Sequence, residues 1–468
     1  MLQRFINWIR GVIARMFHID DAKRTLGTDI AISQKMQEAI DLWSAMFLDS
    51  APWLTDDVES MDLPASIAEE FARLITVEFQ SSVEGSARAD WLNGEYADAV
   101  LEHLKENVET AAAVGGVVFK PYVDGDRIAV DAVPAWRFLP TAFNSRKEIT
   151  GAVFVEIITR GKVRYTRMEQ HQLTDAGYNI RNLAFASQSE GSLGTPCALV
   201  EVEEWADLEP DITIRYKDGS APDRVLFAYY KIPLANNIDP DSPLGVSVYA
   251  RATNLIKDAD EQYSRIRWEY KGTELAIDAS AGALKKDAHG NWNMPQHQRR
   301  LFRELALDRG DNGDLYEVFS PAIRDASLFN GLDKILKRVE FSCGLAYGTL
   351  SDPQSVEKTA EEIRTSKQRS YAAVCMMQSA LQKALEHLVW AMDFYATMYN
   401  LAPRGEYEVS FSFGDGVLED ADKEFATRKS LVDAGYLKPE ALVAWYFGTS
   451  EEEARKMMPG AEPALELG

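Results

Sequence analysis

Cysteine is almost missing from this sequence. The three present, Cys197, Cys343 and Cys375, are odd in number and far apart, which leaves no disulfide framework and no thiolate cluster for a metal, and fits the cytosol. Also missing is any apolar run of the roughly 18 residues that a bilayer-crossing helix needs, and the first residues lack the small-residue cleavage pattern of a secretory signal. There is no GxxxxGK[ST] phosphate loop, no HExxH and no GxSxG, so ATP hydrolysis, zinc hydrolysis and serine acyl transfer have no candidate residues. The histidines, His18, His103, His171, His289, His297 and His387, are scattered. The closest pair, His289 and His297, has only Asp287 nearby and reads as part of a solvated loop. No cofactor, no metal site and no catalytic residue are expected, and the chain is read as not an enzyme. Positive charge is short as well: 50 basic residues face 73 acidic ones, a formal charge of −23. Affinity for nucleic acid comes from releasing counterions to basic groups, so nonspecific capture of DNA is not expected. An acidic wall facing DNA would instead let the polymer slide.

What is present is a foldable chain. Of 468 residues, 46% are hydrophobic, enough for roughly two to four domains. Over residues 1–29, Leu2, Phe5, Ile6, Ile9, Ile13, Met16 and Phe17 share one helix face, with Arg4, Arg10 and Arg15 elsewhere and Trp8 alongside. Such an amphipathic helix suits a membrane surface, a protein surface or a free arm. Helical periodicity then covers Ile30 to Leu48, Pro64 to Glu78 and Ser86 to Thr110. From Gly115-Gly116 the texture changes to strands at Val117 to Phe119, Ile128 to Val133, Ala152 to Thr159, Lys162 to Arg167, Ala198 to Val202, Ile212 to Tyr216 and Val225 to Lys231. The turns between them are too short for crossover helices, so antiparallel pairing is expected.

Past the Pro- and Asp-rich hinge at Asn236 to Pro243, a helix is expected from Gly245 to Ala276, roughly 45 Å long at 1.5 Å per residue. Periodicity collapses between Ser280 and Ala326 and resumes from Leu328 to Ala346 with Leu332, Ile335, Leu336, Val339, Phe341 and Leu345. Helix, small insertion, helix is the architectural signal. Ser355 to Tyr399 then reads as one helix of about 65 Å, with Val374, Met377, Leu381, Leu385, Leu388, Met392 and Tyr395 spaced for packing along a partner helix. A compact enzyme seldom needs such a helix, whereas an elongated ring subunit does. Glu406 to Ser412 alternates as an edge strand. Helices follow at Ala421 to Ala434, after Pro439 and after Ser450, and a loose tail runs from Pro459.

Two kinds of charge cluster invite chemistry. Asp258 with Glu261, and Glu357 with Glu361, share helix faces, but paired-carboxylate catalysis needs contrasting burial to separate their pKa values, and charged helical surfaces do not provide it. Lys285, Lys286, Arg299, Arg300 and Arg303 gather in the insertion. They suit DNA phosphates, acidic residues of a neighbouring subunit or connector, or plain solvation, and no interleaved aromatics mark base stacking.

Several phrases resemble one family. They are Phe119-Lys120-Pro121-Tyr122, Val133-Pro134-Ala135 with Phe138-Leu139-Pro140, Ser242-Pro243-Leu244-Gly245 leading to Ala259-Asp260-Glu261-Gln262-Tyr263-Ser264, and Glu357-Lys358-Thr359-Ala360-Glu361-Glu362-Ile363 before Ser366. Together with the order of elements, from about Ile30 to Met458, they resemble the portal proteins of tailed phages, in the group found in phages of Gram-positive hosts. The last phrase departs from the family's T-A-T-E at its third letter.

The resemblance implies an α+β portal fold: a wing over 30–243, stem helices over 244–279 and 327–346 around a clip at 280–326, a tunnel loop at 347–356, a long wing helix over 357–402, and a wing strand with crown over 403–468. It implies a homododecameric ring at one capsid vertex, through which double-stranded DNA is packaged, retained and ejected. The implied partners are the terminase large subunit, the head-tail connector, and the major capsid and scaffolding proteins; the implied places are the virion and, during assembly, the host cytoplasm. Channel or tunnel-loop candidates are Asp258, Glu261, Glu269, Tyr347, Thr349, Ser351 and Asp352. Partner contacts of the clip are Lys285, Lys286, Arg299, Arg300 and Arg303. The competing readings are a peripheral membrane or scaffolding protein using the N-terminal helix, and an enzyme whose site forms only in three dimensions.

Overall fold

The computed structural model describes residues 25–27, 29–189, 192–216, 218–272, 276–280, 302–305, 316–319, 322–352, 360–414, 428–447 and 454–455. The N-terminal amphipathic segment, the tail and the stretch around Ser450 lie outside them, apart from a few residues. The chain divides into two compact units, Met1–Ser412 and Phe413–Gly468.

The first unit opens with helices α1 (Gln34–Phe47) and α2 (Leu63–Thr76). Ser33 caps α1 by accepting from the Met36 amide at 3.2 Å. A short strand β1 (Gln80–Gly85) precedes α3 (Ala87–Tyr96) and α4 (Leu104–Val114). Between α3 and α4, where the sequence predicts one continuous helix, a π turn occupies Ala97–Leu101. The cause is legible in the burial: Leu92, Tyr96, Val100, Leu104, Val108 and Ala112 are all buried and recur every four residues. On an α-helix that spacing drifts about 40° per step, and a wider π turn takes up the drift so both halves present one face.

Strands β2 (Gly116–Asp124) and β3 (Arg127–Pro134) form the hairpin that Asp124-Gly125-Asp126 predicts, and β10 (Ala228–Lys231) adds to the other edge of β2. The larger sheet runs β4 (Phe138–Phe143), β5 (Ile149–Arg160), β6 (Val163–Thr174), β7 (Gly177–Ser187), β8 (Thr195–Cys197), with β9 (Asp211–Ile214) also on β7. All its pairs are antiparallel, as short connections require. The strand expected at Ala198 to Val202 is absent. Two 3-10 turns occupy Leu199–Glu201 and Glu203–Trp205 and drive Val202 and Trp205 into the sheet.

The helix expected from Gly245 begins only at Thr253, as α5 (Thr253–Gly272). Residues 244–249 stay out of the helix, in irregular backbone and a turn, because Gly245 lies backbone to backbone on Gly115. A Cβ on Gly245 would meet the Gly115 oxygen at 2.0 Å, and one on Gly115, whose φ is +93°, would meet the Gly245 oxygen at 2.5 Å. The Val248 amide donates to the Ala112 carbonyl and the Ile232 amide to the Gly115 carbonyl. Two glycines are thus needed for one close approach.

Beyond α5 come β11 (Ala276–Ser280), β12 (Phe302–Leu305), β13 (Tyr316–Phe319) and α6 (Asp325–Cys343). Helix α7 (Ala360–Met398) follows, then β14 (Tyr407–Ser412), which pairs antiparallel with β1. The apolar stripe of α7 is buried from Val374 to Tyr395. It is seated chiefly on β10 and β2, with α2 beside it, rather than along a single partner helix. In the second unit, α8 (Pro439–Phe447) starts at its proline, and the Arg428 guanidinium lies 4.6 Å from the Trp445 ring centre. Among the described residues no helix is long and apolar enough to cross a membrane, and no group of three His, Cys, Asp or Glu could hold a metal.

A buried charge cluster sits where β2 meets β6 of the larger sheet. The Lys120 ammonium is 2.6 Å from Glu169, Arg167 is 3.2 Å from it, and His171 joins it through Nε2 at 2.8 Å while its Nδ1 meets the Tyr178 hydroxyl at 2.7 Å. Burial alone would raise the Glu169 carboxyl; Lys120, His171 and Arg167 outweigh it and hold it well below the ordinary value. Burial lowers His171 against the pull of Glu169. Both folded-state values lie below their unfolded ones, so both contributions are complete at high pH and fall away on acidification, first below about 6.5 through His171 and then below about 4.5 through Glu169. Urea midpoints should therefore fall from pH 8 to pH 5.5. The His171→Gln variant, which does not titrate, should flatten that slope by up to about 1.4 kcal/mol per pH unit. Parallel profiles for the two proteins would refute the assignment.

Candidate functional site: a helix pair and the loop beyond it

Helices α5 and α6 pack against each other with opposite directions. Glu269 of α5 meets Arg324 at the start of α6, and Gln262 donates to the Leu328 carbonyl at 3.2 Å, so numbering falls on one helix as it rises on the other. Ile256, Ala259 and Ile266 are buried on α5, and Leu332, Leu336 and Val339 on α6. The outer side of α5 is held by the segment before α2: Trp53 Nε1 and the Met61 amide each donate to the Asp260 carboxylate at 2.9 Å, and the Glu59 amide donates to Ser264 at 2.8 Å. Burial, eased by those donors, raises the Asp260 carboxyl above its ordinary value.

At the far end of the pair sits a three-stranded sheet in the order β12-β11-β13. Strand β11 pairs antiparallel with β13, the two strands nearest the helices, and parallel with β12. The described residues of the small excursion between helices are thus three short paired strands. Its register sets Arg303 opposite Asp278. Lys285, Lys286, Arg299 and Arg300 lie outside the described residues.

At the other end, α6 stops at Gly344, whose φ is +84°, and a loop leads toward α7. Glu340 organises that loop. It is fully buried, and its Oε1 accepts from the amides of Gly348 at 3.0 Å, Leu350 at 2.6 Å and Ser351 at 2.8 Å, while Oε2 accepts from the Ser351 hydroxyl at 2.9 Å. The loop exit is tied down by the Asp352 amide, which donates to Asp333 at 3.1 Å. Arg369 of α7 leans on the same region, its guanidinium 4.6 Å from the Phe341 ring centre and 5.6 Å from that of Tyr347.

The candidate residues separate by environment. Asp258 is exposed on α5, and Glu261, one turn on, lies between Lys257 at 3.9 Å and Arg265 at 3.5 Å. Glu269 is buried and bound by Arg324 at 2.8 Å, whose hydrogen bond holds its carboxyl below the ordinary value. Ser351 is buried and spent on Glu340. Thr349 donates its hydroxyl to the Ala346 carbonyl at 2.7 Å and is exposed, as is Asp352, while Tyr347 is half-buried. Val356 and the Glu357 to Ile363 phrase fall where side chains are not described. Glu340, Arg369 and Arg324 do not stand out as site residues in the sequence. Glu340 carried a signal, because it follows Leu332 and Leu336 at four-residue steps and so had to lie on the buried face.

The arrangement is a braced helix pair with a sheet at one end and a carboxylate-stapled loop at the other, its one hydroxyl beside a carboxylate, Ser351 on Glu340, being buried in the staple. A protein-family model described as "Phage portal protein, SPP1 Gp6-like" matches residues 89–458, well over half of the chain. No curated protein matches it.

Proposed function

Because this chain belongs to the SPP1 Gp6-like family of phage portal proteins, structural proteins of DNA packaging rather than enzymes, we propose that twelve copies form a ring at one vertex of the capsid of a phage of Gram-positive bacteria. The helix pair, α5 with α6, is the stem (244–279 and 327–346), and the sheet between them is the clip (280–326). The clip meets the terminase large subunit during packaging and the head-tail connector afterwards, with its basic residues as contacts. Residues 30–243 and the helix over 357–402 build the wing, which meets the major capsid and scaffolding proteins, and 403–468 adds a strand and the crown. The loop over 347–356 is the tunnel loop, with Tyr347, Thr349 and Asp352 turned to the double-stranded DNA. Assembly takes place in the host cytoplasm.

The observation that carries this reading is the antiparallel pair bracketing a three-stranded sheet, inside the span that the family model matches. Such a chain works as a conduit: the motor supplies the work and the ring must not bind the polymer tightly, since every phosphate contact adds an electrostatic trap. Negative-stain imaging of the purified chain should give uniform rings with a central hole wide enough for a duplex. A protein that stays monomeric at high concentration would sink the proposal.

A further inference from the structure

The exposed side of α6 carries Lys334 and Arg338 one turn apart, followed by Phe341, which is 55% exposed. Arg369 stacks on Phe341, and Met376, two turns further along α7, is 51% exposed. Among the described residues Lys334 and Arg338 meet no carboxylate. Among the described residues Arg369 meets the two rings, and none of them offers an acceptor to its buried Nη1. In a chain of net charge −23 these are cations waiting for an acid. Arginine, phenylalanine and methionine exposed side by side are also the composition of a protein interface, whereas a phosphate backbone is met by cations and polar donors and gains nothing from exposed phenylalanine or methionine.

We infer that this stripe is the contact with a second copy of this chain, and that it receives the exposed Asp258 carboxylate of that copy's α5, Glu261 being already held by Lys257 and Arg265 of its own helix. The inference rests on the ring reading above, with the stem helices along the ring axis. Gln262 lies level with Leu328 and Gly331, and the helices are antiparallel. Asp258, one turn before Gln262, is therefore level with about residues 332–335. Rotation about an axis parallel to the helices keeps that height, so the next copy's Asp258 arrives opposite Lys334, and Arg338 lies one turn beyond. Asp258 is exposed, and no cation among the described residues answers it. Closing a heterologous ring requires two unlike faces on each subunit; α5 supplies an unanswered carboxylate at Asp258, and α6 two unanswered cations at Lys334 and Arg338. Asp258 then faces a neighbour and not the DNA.

The test is a charge exchange on the full chain, read by mass photometry at about 0.15 M salt. Asp258→Lys and Lys334→Glu should each lower the fraction in rings about tenfold or more through like-charge opposition. The double variant, Asp258→Lys with Lys334→Glu, should restore it. Both positions are exposed, so all three should melt like the wild type, which separates assembly from folding. Rings that form equally in every variant would overturn the interface while leaving the ring reading intact; a wild type without rings would overturn both. Should Lys334→Glu leave rings unchanged but weaken binding of a short DNA duplex, the stripe faces DNA and the inference is wrong.

Discussion

Replacing Glu340 by alanine is expected to unfasten the loop after α6 while the rest of the protein keeps its fold. Three amides, those of Gly348, Leu350 and Ser351, lose the carboxylate oxygen they share, Gly348 keeping a second acceptor in the Ser351 hydroxyl at 3.3 Å. A buried donor left without a partner costs roughly 1–3 kcal/mol. Water entering the vacated volume recovers part of that, so a net local loss of about 3 kcal/mol is expected for the group. At 1.36 kcal/mol per factor of ten, exchange of these amides with deuterium should speed up about a hundredfold, with strands β5 to β7 unchanged. Glu340→Gln keeps one acceptor oxygen and turns the other into a donor that the Ser351 hydroxyl can accept, so about tenfold is expected. Equal protection over 348–351 in wild type and Glu340→Ala would mean that the loop shape does not depend on the carboxylate.

The Arg88→Met variant is expected to lose about 3 kcal/mol of global stability, the range for breaking one side of a buried ion pair. Arg88 is 1% exposed. It donates to the Asp393 carboxylate and carbonyl, each at 2.7 Å, to the Thr397 hydroxyl at 2.6 Å and to the Ala402 carbonyl at 2.8 Å. One guanidinium thus clasps α3 to the end of α7 across more than three hundred residues of chain. Lysine at this position should be nearly as damaging, since a single ammonium cannot reproduce the planar fork. The proper contrast is Arg73→Met, which breaks a mostly exposed pair with Glu70 and should cost no more than about 1 kcal/mol. Urea midpoints read both; similar shifts for Arg88→Met and Arg73→Met would remove Arg88 as the clasp.

Periodicity revealed the long helices and hairpins because their cause is local. The apolar stripe of α7 and the turn at Asp124-Gly125-Asp126 needed nothing beyond their own residues. Strand β7 escaped because Asn182 interrupts its apolar pattern, yet Asn182 is buried in comfort: Arg167 donates to its side chain at 3.0 Å and it donates to the Glu209 carbonyl at 2.9 Å. Those partners are distant in sequence. Likewise the phrase around Gly245 was readable as a family likeness, but its reason, a glycine opposite at Gly115, is a tertiary fact. The candidate site divides the same way. Helix, excursion, helix was visible, whereas the loop's dependence on Glu340, and the binding of Glu269 by Arg324, required the two ends of the helix pair to be seen together.

The antiparallel bridge between β11 and β13 limits what the helix pair can do. Four residue pairs in register, from Ala276 with Phe319 to Ala279 with Tyr316, lock the strand that follows α5 to the strand that precedes α6. A lengthwise slip by one residue would turn every side chain of the moving strand to the opposite face. Sliding of one helix past the other is therefore blocked at that end. A displacement at the sheet end must reach the loop at the opposite end as tilt or bending of the pair as a unit, like a lever with a fixed fork, and not as shear between its arms.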